Sequence, residues 1–162
     1  MEIKRIDHYS IRTLDVEASR KFYTEIIGLA VGTRPVFPFP GFWLYSGTPP
    51  ADLDHAGGNY GIVHVMGVDP DDPQGLIDTV GYRDPDTLKG STGALDHIAL
   101  AVTGRAAMLE RCGRSNVSFF ERTVPTLGLH QVFIKDPNGV TIELNFPASE
   151  APQAQNTAAA AA

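Results

Sequence analysis

Ile6-Asp7-His8-Tyr9-Ser10-Ile11 and Leu95-Asp96-His97-Ile98-Ala99-Leu100 carry one pattern, apolar-Asp-His-x-x-apolar, in the two halves of the chain. Each sits at the start of the same predicted order of elements. The first opens a β-rich run that ends at Asp15, a residue suited to cap a helix over Val16 to Ile27, where Val16, Ser19, Phe22, Tyr23, Ile26 and Ile27 fall near helical spacing and Gly28 supplies the stop. Short β-rich runs follow at Leu29 to Thr33, Phe42 to Ser46 and Gly61 to Met66. The second opens a strand over Ala94 to Val102, then a helix near Arg105 to Arg114 and strands near Ser118 to Val124, Gly128 to Lys135 and Val140 to Asn145. A recurring order of this length signals a duplicated unit. The expected fold is therefore α+β, two βαβββ modules at about 1–66 and 94–146 that form a cupped mixed sheet as one domain, 1–146.

Between the modules, 67–93 is rich in Asp, Pro and Gly and holds one apolar stretch, Leu76-Ile77-Asp78-Thr79-Val80. It is longer than a plain linker, and a lid or a dimer contact is the expectation. The Ala- and Gln-rich stretch 147–162 lacks a periodic apolar face and is expected to be a flexible tail.

Bulk composition narrows the function classes. The chain has 162 residues, 13 Lys plus Arg against 19 Asp plus Glu, and a net charge of −6, so it lacks the basic footprint of a nucleic-acid binder. No apolar run approaches the length of a signal peptide or a membrane span, which predicts a cytoplasmic protein with no membrane partner. One cysteine, Cys112, permits no internal disulfide and suits a reducing compartment.

Four donors lie at repeat-related positions. His8 and His97 fall in the first strands of the two modules, His64 in the last strand of the first, and Glu143 in the last strand of the second. Imidazole and carboxylate together suit one divalent ion such as Fe, Mn, Ni or Zn, and the lack of clustered cysteines argues against a structural zinc site. Alternation along Thr141 to Asn145 puts Glu143 on the face of Thr141 and Asn145, opposite Ile142 and Leu144.

These residues resemble the vicinal oxygen chelate proteins, the superfamily of glyoxalases, bleomycin resistance proteins and extradiol dioxygenases. The resemblance runs from about Ile3 to Phe146. Besides the two Asp-His strands, it rests on Ser19-Arg20-Lys21-Phe22-Tyr23-Thr24-Glu25-Ile26-Ile27-Gly28-Leu29 and, most specifically, on Phe133 to Leu144 with its Asp136-Pro137-Asn138-Gly139 turn. The resemblance implies metal ligation by His8, His97 and Glu143, with His64 as fourth ligand or as catalytic acid/base. It also implies a small-molecule substrate whose vicinal oxygens chelate the metal, and a homodimer. Dioxygenases of this class usually carry Tyr where this chain has Phe133, so lyase, isomerase or epimerase chemistry is the favoured expectation. Alternatives are an iron-dependent extradiol dioxygenase and a metal-free drug-binding protein; nothing supports a fosfomycin-type thiol transferase. His130, leading into the metal-bearing hairpin, is a second catalytic candidate, whereas His55 reads as solvent-exposed. Phe39, Trp43 and Tyr45, beside the stiffening Pro35, Pro38 and Pro40, are candidates for a substrate wall.

Overall fold

The computed structural model describes residues 6–55, 59–88, 92 and 95–152. The expected start at Ile3, the glycines beside His55 and the extreme C-terminus lie outside them. Contacts divide the chain into two compact units, Met1–His97 with Lys135–Thr141, and Ile98–Ile134 with Ile142–Ala162.

In the first unit, β1 (Tyr9–Thr13), β2 (Ala30–Gly32), β3 (Gly41–Tyr45) and β4 (Val63–Gly67) form a sheet of order β1-β4-β3-β2. β1 runs parallel to β4, and the remaining pairs are antiparallel. Helix α1 (Val16–Lys21) begins as the sequence predicts, with the Asp15 carboxylate accepting from the Ala18 N–H at 2.8 Å. It then widens into a π-type turn, Phe22–Ile27, before Gly28 ends it at φ 90°. The N–H groups of Gly28 and Leu29 both donate to the Tyr23 carbonyl, at 3.1 and 2.9 Å. No residue in the run signals that widening. Ile11 and Thr13 are buried on one face of β1, which leaves Ser10 and Arg12 on the other.

The segment between the modules, expected as a lid or dimer contact, groups with the first unit. Its apolar stretch forms α2 (Gln74–Val80) with Leu76 buried. Only glycine fits at Gly75, where an added Cβ would lie 2.0 Å from the Pro38 carbonyl oxygen. Arg12 of β1 donates to the carbonyls of Val80 and Gly81 at 2.8 and 2.9 Å, satisfying acceptors at the helix C-terminus.

The second unit repeats the plan. β5 (Ile98–Ala101), β6 (Phe119–Val124), β7 (Leu129–Lys135) and β8 (Thr141–Pro147) have the order β5-β8-β7-β6, with α3 (Arg105–Arg114) between β5 and β6. The buried residues here include Met108 and Cys112 of α3 and Val132, Ile134, Ile142, Leu144 and Phe146 of the strands. The fold runs past the expected start of the tail: the Ala148 N–H donates to the Gly128 carbonyl, and Glu150 caps α3.

The Asp136-Pro137-Asn138-Gly139 turn belongs to the first unit and is tied there by side chains. The Tyr9 hydroxyl donates to that of Tyr23 at 3.5 Å, and Tyr23 donates to Asp136 Oδ2 at 3.0 Å. Asn138 donates to the Ser19 hydroxyl, which in turn donates to Thr13. Burial raises the pKa of both phenols, that of Tyr9 to about 12, so both stay protonated donors.

Candidate functional site

Register places the predicted donors at matching points of the two sheets. His64 pairs with Ser10, two residues after His8; Glu143 pairs with Ala99, two residues after His97. The duplication read from the two Asp-His strands is therefore also a duplication of strand register.

In the first unit, His64 lies between two rings. It stacks on His8 with centroids 3.9 Å apart and on Trp43, its cross-strand partner, at 4.0 Å. Its Nε2 is 2.7 Å from the Tyr60 carbonyl oxygen, an acceptor only, so Nε2 carries the proton and Nδ1 the lone pair. Burial holds the His64 pKa below its ordinary value, against an opposing contribution from that hydrogen bond. A cavity of about 140 Å³ adjoins the stack, lined by Ser10, Arg34, Phe37, Phe39, Trp43 and His64 among others. Arg34 lies 5.2 and 5.4 Å from the ring centroids of Phe37 and Phe39 and donates to the Phe39 carbonyl. Phe39 and Trp43 thus line this cavity. Tyr45 does not: it is fully buried, and its hydroxyl donates to the Thr33 carbonyl at 2.7 Å.

The two Asp-His pairs are built alike. His8 Nδ1 lies 2.9 Å from the Asp7 carboxylate and His97 Nδ1 2.6 Å from that of Asp96. A carboxylate accepts, so each ring carries its proton on Nδ1 and has its lone pair on Nε2.

In the second unit, Glu143 is buried, and its Oε1 accepts from Gln131 Nε2 at 2.7 Å and Asn145 Nδ2 at 2.8 Å. Gln131 accepts in turn from Arg122 Nε at 2.7 Å. Phe133, two residues from Gln131 on the same strand face, lies beneath the Arg122 guanidinium at 5.2 Å. His130, the second catalytic candidate, takes the face of β7 opposite Gln131, away from the Gln131–Glu143 hydrogen bond. Its Nε2 contacts Glu121 Oε2 at 3.1 Å, and its Nδ1 contacts the Thr123 hydroxyl at 2.9 Å. Glu121 also receives Arg105 of α3 at 2.6 Å. Both ring nitrogens are engaged in a network that joins the sheet to its helix. His55 is exposed and paired with Asp52, as its loop position suggests.

Among the described residues, no three His, Cys, Asp or Glu side chains are gathered as a metal would require. The rings of His8 and His64 are stacked with planes 21° apart, so their in-plane lone pairs lie in nearly parallel planes. The donor chemistry nevertheless suits a metal: each of the three imidazoles has one nitrogen fixed by an oxygen acceptor, the second-neighbour arrangement that ligating histidines use. Sequence reasoning missed Arg34, Gln131 and the two aspartates. The repeated Asp-His dipeptide was the available signal for the aspartates, whereas Arg34 and Gln131 depend on packing across strands.

A sequence profile of the Glyoxalase/Bleomycin resistance protein/Dioxygenase superfamily matches residues 5–144. The chain is 27% identical over 143 residues to an uncharacterized Bacillus subtilis protein, YwbC, with 86% of this chain and 95% of that one covered. Solved structures with the same fold include a putative glyoxalase family protein from Bacillus anthracis, at 18% identity and TM-score 0.58, with 91% of this chain and 98% of that one covered. Another is the fosfomycin resistance protein FosX from Listeria monocytogenes, at 15% identity and TM-score 0.56, with coverages of 90% and 94%.

Proposed function

The chain belongs to the glyoxalase/bleomycin resistance protein/dioxygenase superfamily, and on that footing we propose that it is a metal-dependent lyase, isomerase or epimerase acting on a small metabolite with vicinal oxygens. The observation that carries this reading is the tautomer setting of His8, His64 and His97: in each an oxygen acceptor holds the proton on one ring nitrogen, which puts the lone pair on the other. With Glu143 they form the donor set for one Fe, Mn, Ni or Zn ion, which when bound supplies the Lewis acidity that polarises chelated oxygens.

The chain's own residues then orient the substrate and handle its proton. Trp43 and Phe39 offer flat apolar surface beside His64, and Arg34 brings a cation to the same cavity. His64 Nδ1 is the atom that would ligate or carry a proton, since Nε2 is committed to Tyr60. Glu143 is held in one orientation by Gln131 and Asn145. A ring-cleaving dioxygenase is the second reading, and Phe133 disfavours it by placing a ring without a hydroxyl beneath Arg122.

Metal analysis of protein purified without chelator or added metal should find one divalent ion per chain. Glu143→Gln and His97→Ala should each lose it. If metal and activity both survive these changes, a metal-free binding protein becomes the better account. Should metal survive His64→Ala while turnover collapses, His64 is the proton carrier. Oxygen uptake with a catechol would favour the dioxygenase.

A further inference from the structure

A second cavity of the first unit, about 260 Å³, lies where the segment after α2 meets β1 and the Asn138 turn. Arg12 and Arg83 bring the two cationic side chains of its lining. Among the described residues, neither makes an ion pair with a carboxylate, although the chain is acidic overall, with a net charge of −6. Uncompensated like charges repel, and an anion between them relieves that repulsion. The two are electrostatically coupled: burial lowers the pKa of Arg12, and the charge of Arg83 lowers it further.

The other donors in the lining are largely spoken for. The Thr87 hydroxyl donates to the Asp84 carbonyl, that of Thr92 to the Leu95 carbonyl, and the Asn138 amide to Ser19 and Asp136. Two N–H groups of Arg12 hold Val80 and Gly81, which fixes that guanidinium and leaves its remaining N–H groups for a ligand. Ser10, Leu88 and Leu95 also line the cavity, adding a hydroxyl and apolar surface.

We propose that the Arg12–Arg83 cavity binds a small organic dianion, a doubly charged oxyanion on a short carbon skeleton. Two guanidiniums match two negative charges and offer forked donors to a phosphate or to paired carboxylates. The leucines accommodate a few carbons. Ser10 also lines the aromatic cavity beside His64, so the two sites are neighbours, but this one requires no metal.

The test is calorimetric titration of the full chain, as purified, with inorganic phosphate and with malonate, at constant ionic strength against a chloride control. Both anions should bind beyond chloride, with phosphate tighter if the ligand is a phosphate monoester and malonate tighter if it is a dicarboxylate. Arg83→Met should weaken binding by about tenfold or more, and Arg83→Lys by less, because a lone ammonium keeps charge but loses the fork. Arg83 is exposed and bears no hydrogen bond among the described residues, so its loss should leave the fold intact. Binding should persist in Glu143→Gln. The proposal fails if neither anion binds beyond chloride, if Arg83→Met binds as the parent does, or if Glu143→Gln alone abolishes binding, which would put the anion on the metal.

Discussion

Glu121 sets a pH dependence for the second unit. Burial alone would raise its pKa, but hydrogen bonds and charge from Arg105 and His130 outweigh that and hold it below the ordinary 4.5. A carboxyl with a depressed folded-state pKa adds stability that is present above its unfolded value and is lost as pH falls through the folded one. The parent should therefore lose stability steeply below about pH 4.5. Glu121→Gln should be less stable at neutral pH, and the gap should close in acid; urea midpoints across pH check both. Tyr23→Phe is the parallel case in the first unit. It strips the buried Asp136 carboxylate of one donor at 3.0 Å and should cost about 1–3 kcal/mol. A fall below about 0.5 kcal/mol would show that water replaces the phenol.

Helix α3 begins without a side-chain cap, at Gly104 in a left-handed conformation with φ 86°. Glu150 supplies the missing acceptor from the far end of the chain: its Oε2 receives the N–H groups of Gly104 and Arg105 at 2.8 and 2.7 Å. Glu150→Ala, or truncation after Pro147, should lower stability by about 0.5–2 kcal/mol, read as a drop in thermal midpoint. The order and type of the elements were legible because their signals are local and occur twice: Asp15 before an apolar run, Gly28 after it, and the same strand order in each repeat. Glu150 was hidden in a stretch that reads as tail, because its partners lie far away in sequence. Facing was only half legible. Alternation separates neighbours within a strand, so it grouped Glu143 with Asn145, which do share a hydrogen bond. It does not say which face of β7 meets α3, and there His130 went to the helix while Gln131 went to Glu143. Tyr45 shares a strand face with Trp43, but alternation does not tell a pocket position from a packed one further along the strand, and here packing buries its ring and ties its hydroxyl to Thr33.

At the scale of the whole chain, the sheet edges carry the next expectation. Among the described residues, β6 is the last strand in its sheet and pairs only with β7, which leaves backbone donors and acceptors on its outer side. Phe119 and Phe120 on that strand are 44% and 61% exposed, and Leu127 just beyond it is 66% exposed. An edge this apolar invites pairing, and the net charge of −6 works against unspecific association, so a closed assembly of two copies is the expected form. Light scattering should give twice the 17.5 kDa chain mass. Phe120→Glu puts a charge on the exposed edge, where the Phe120 ring lies 6.0 Å from that of Phe133. The variant should stay folded by circular dichroism yet shift toward the monomer, with the shift larger at low protein concentration. A parent that scatters as a monomer over a wide concentration range refutes the dimer. A Phe120→Glu protein that remains dimeric moves the contact to another surface, with the exposed Val31 and Val36 beside β2 the next apolar edge to test.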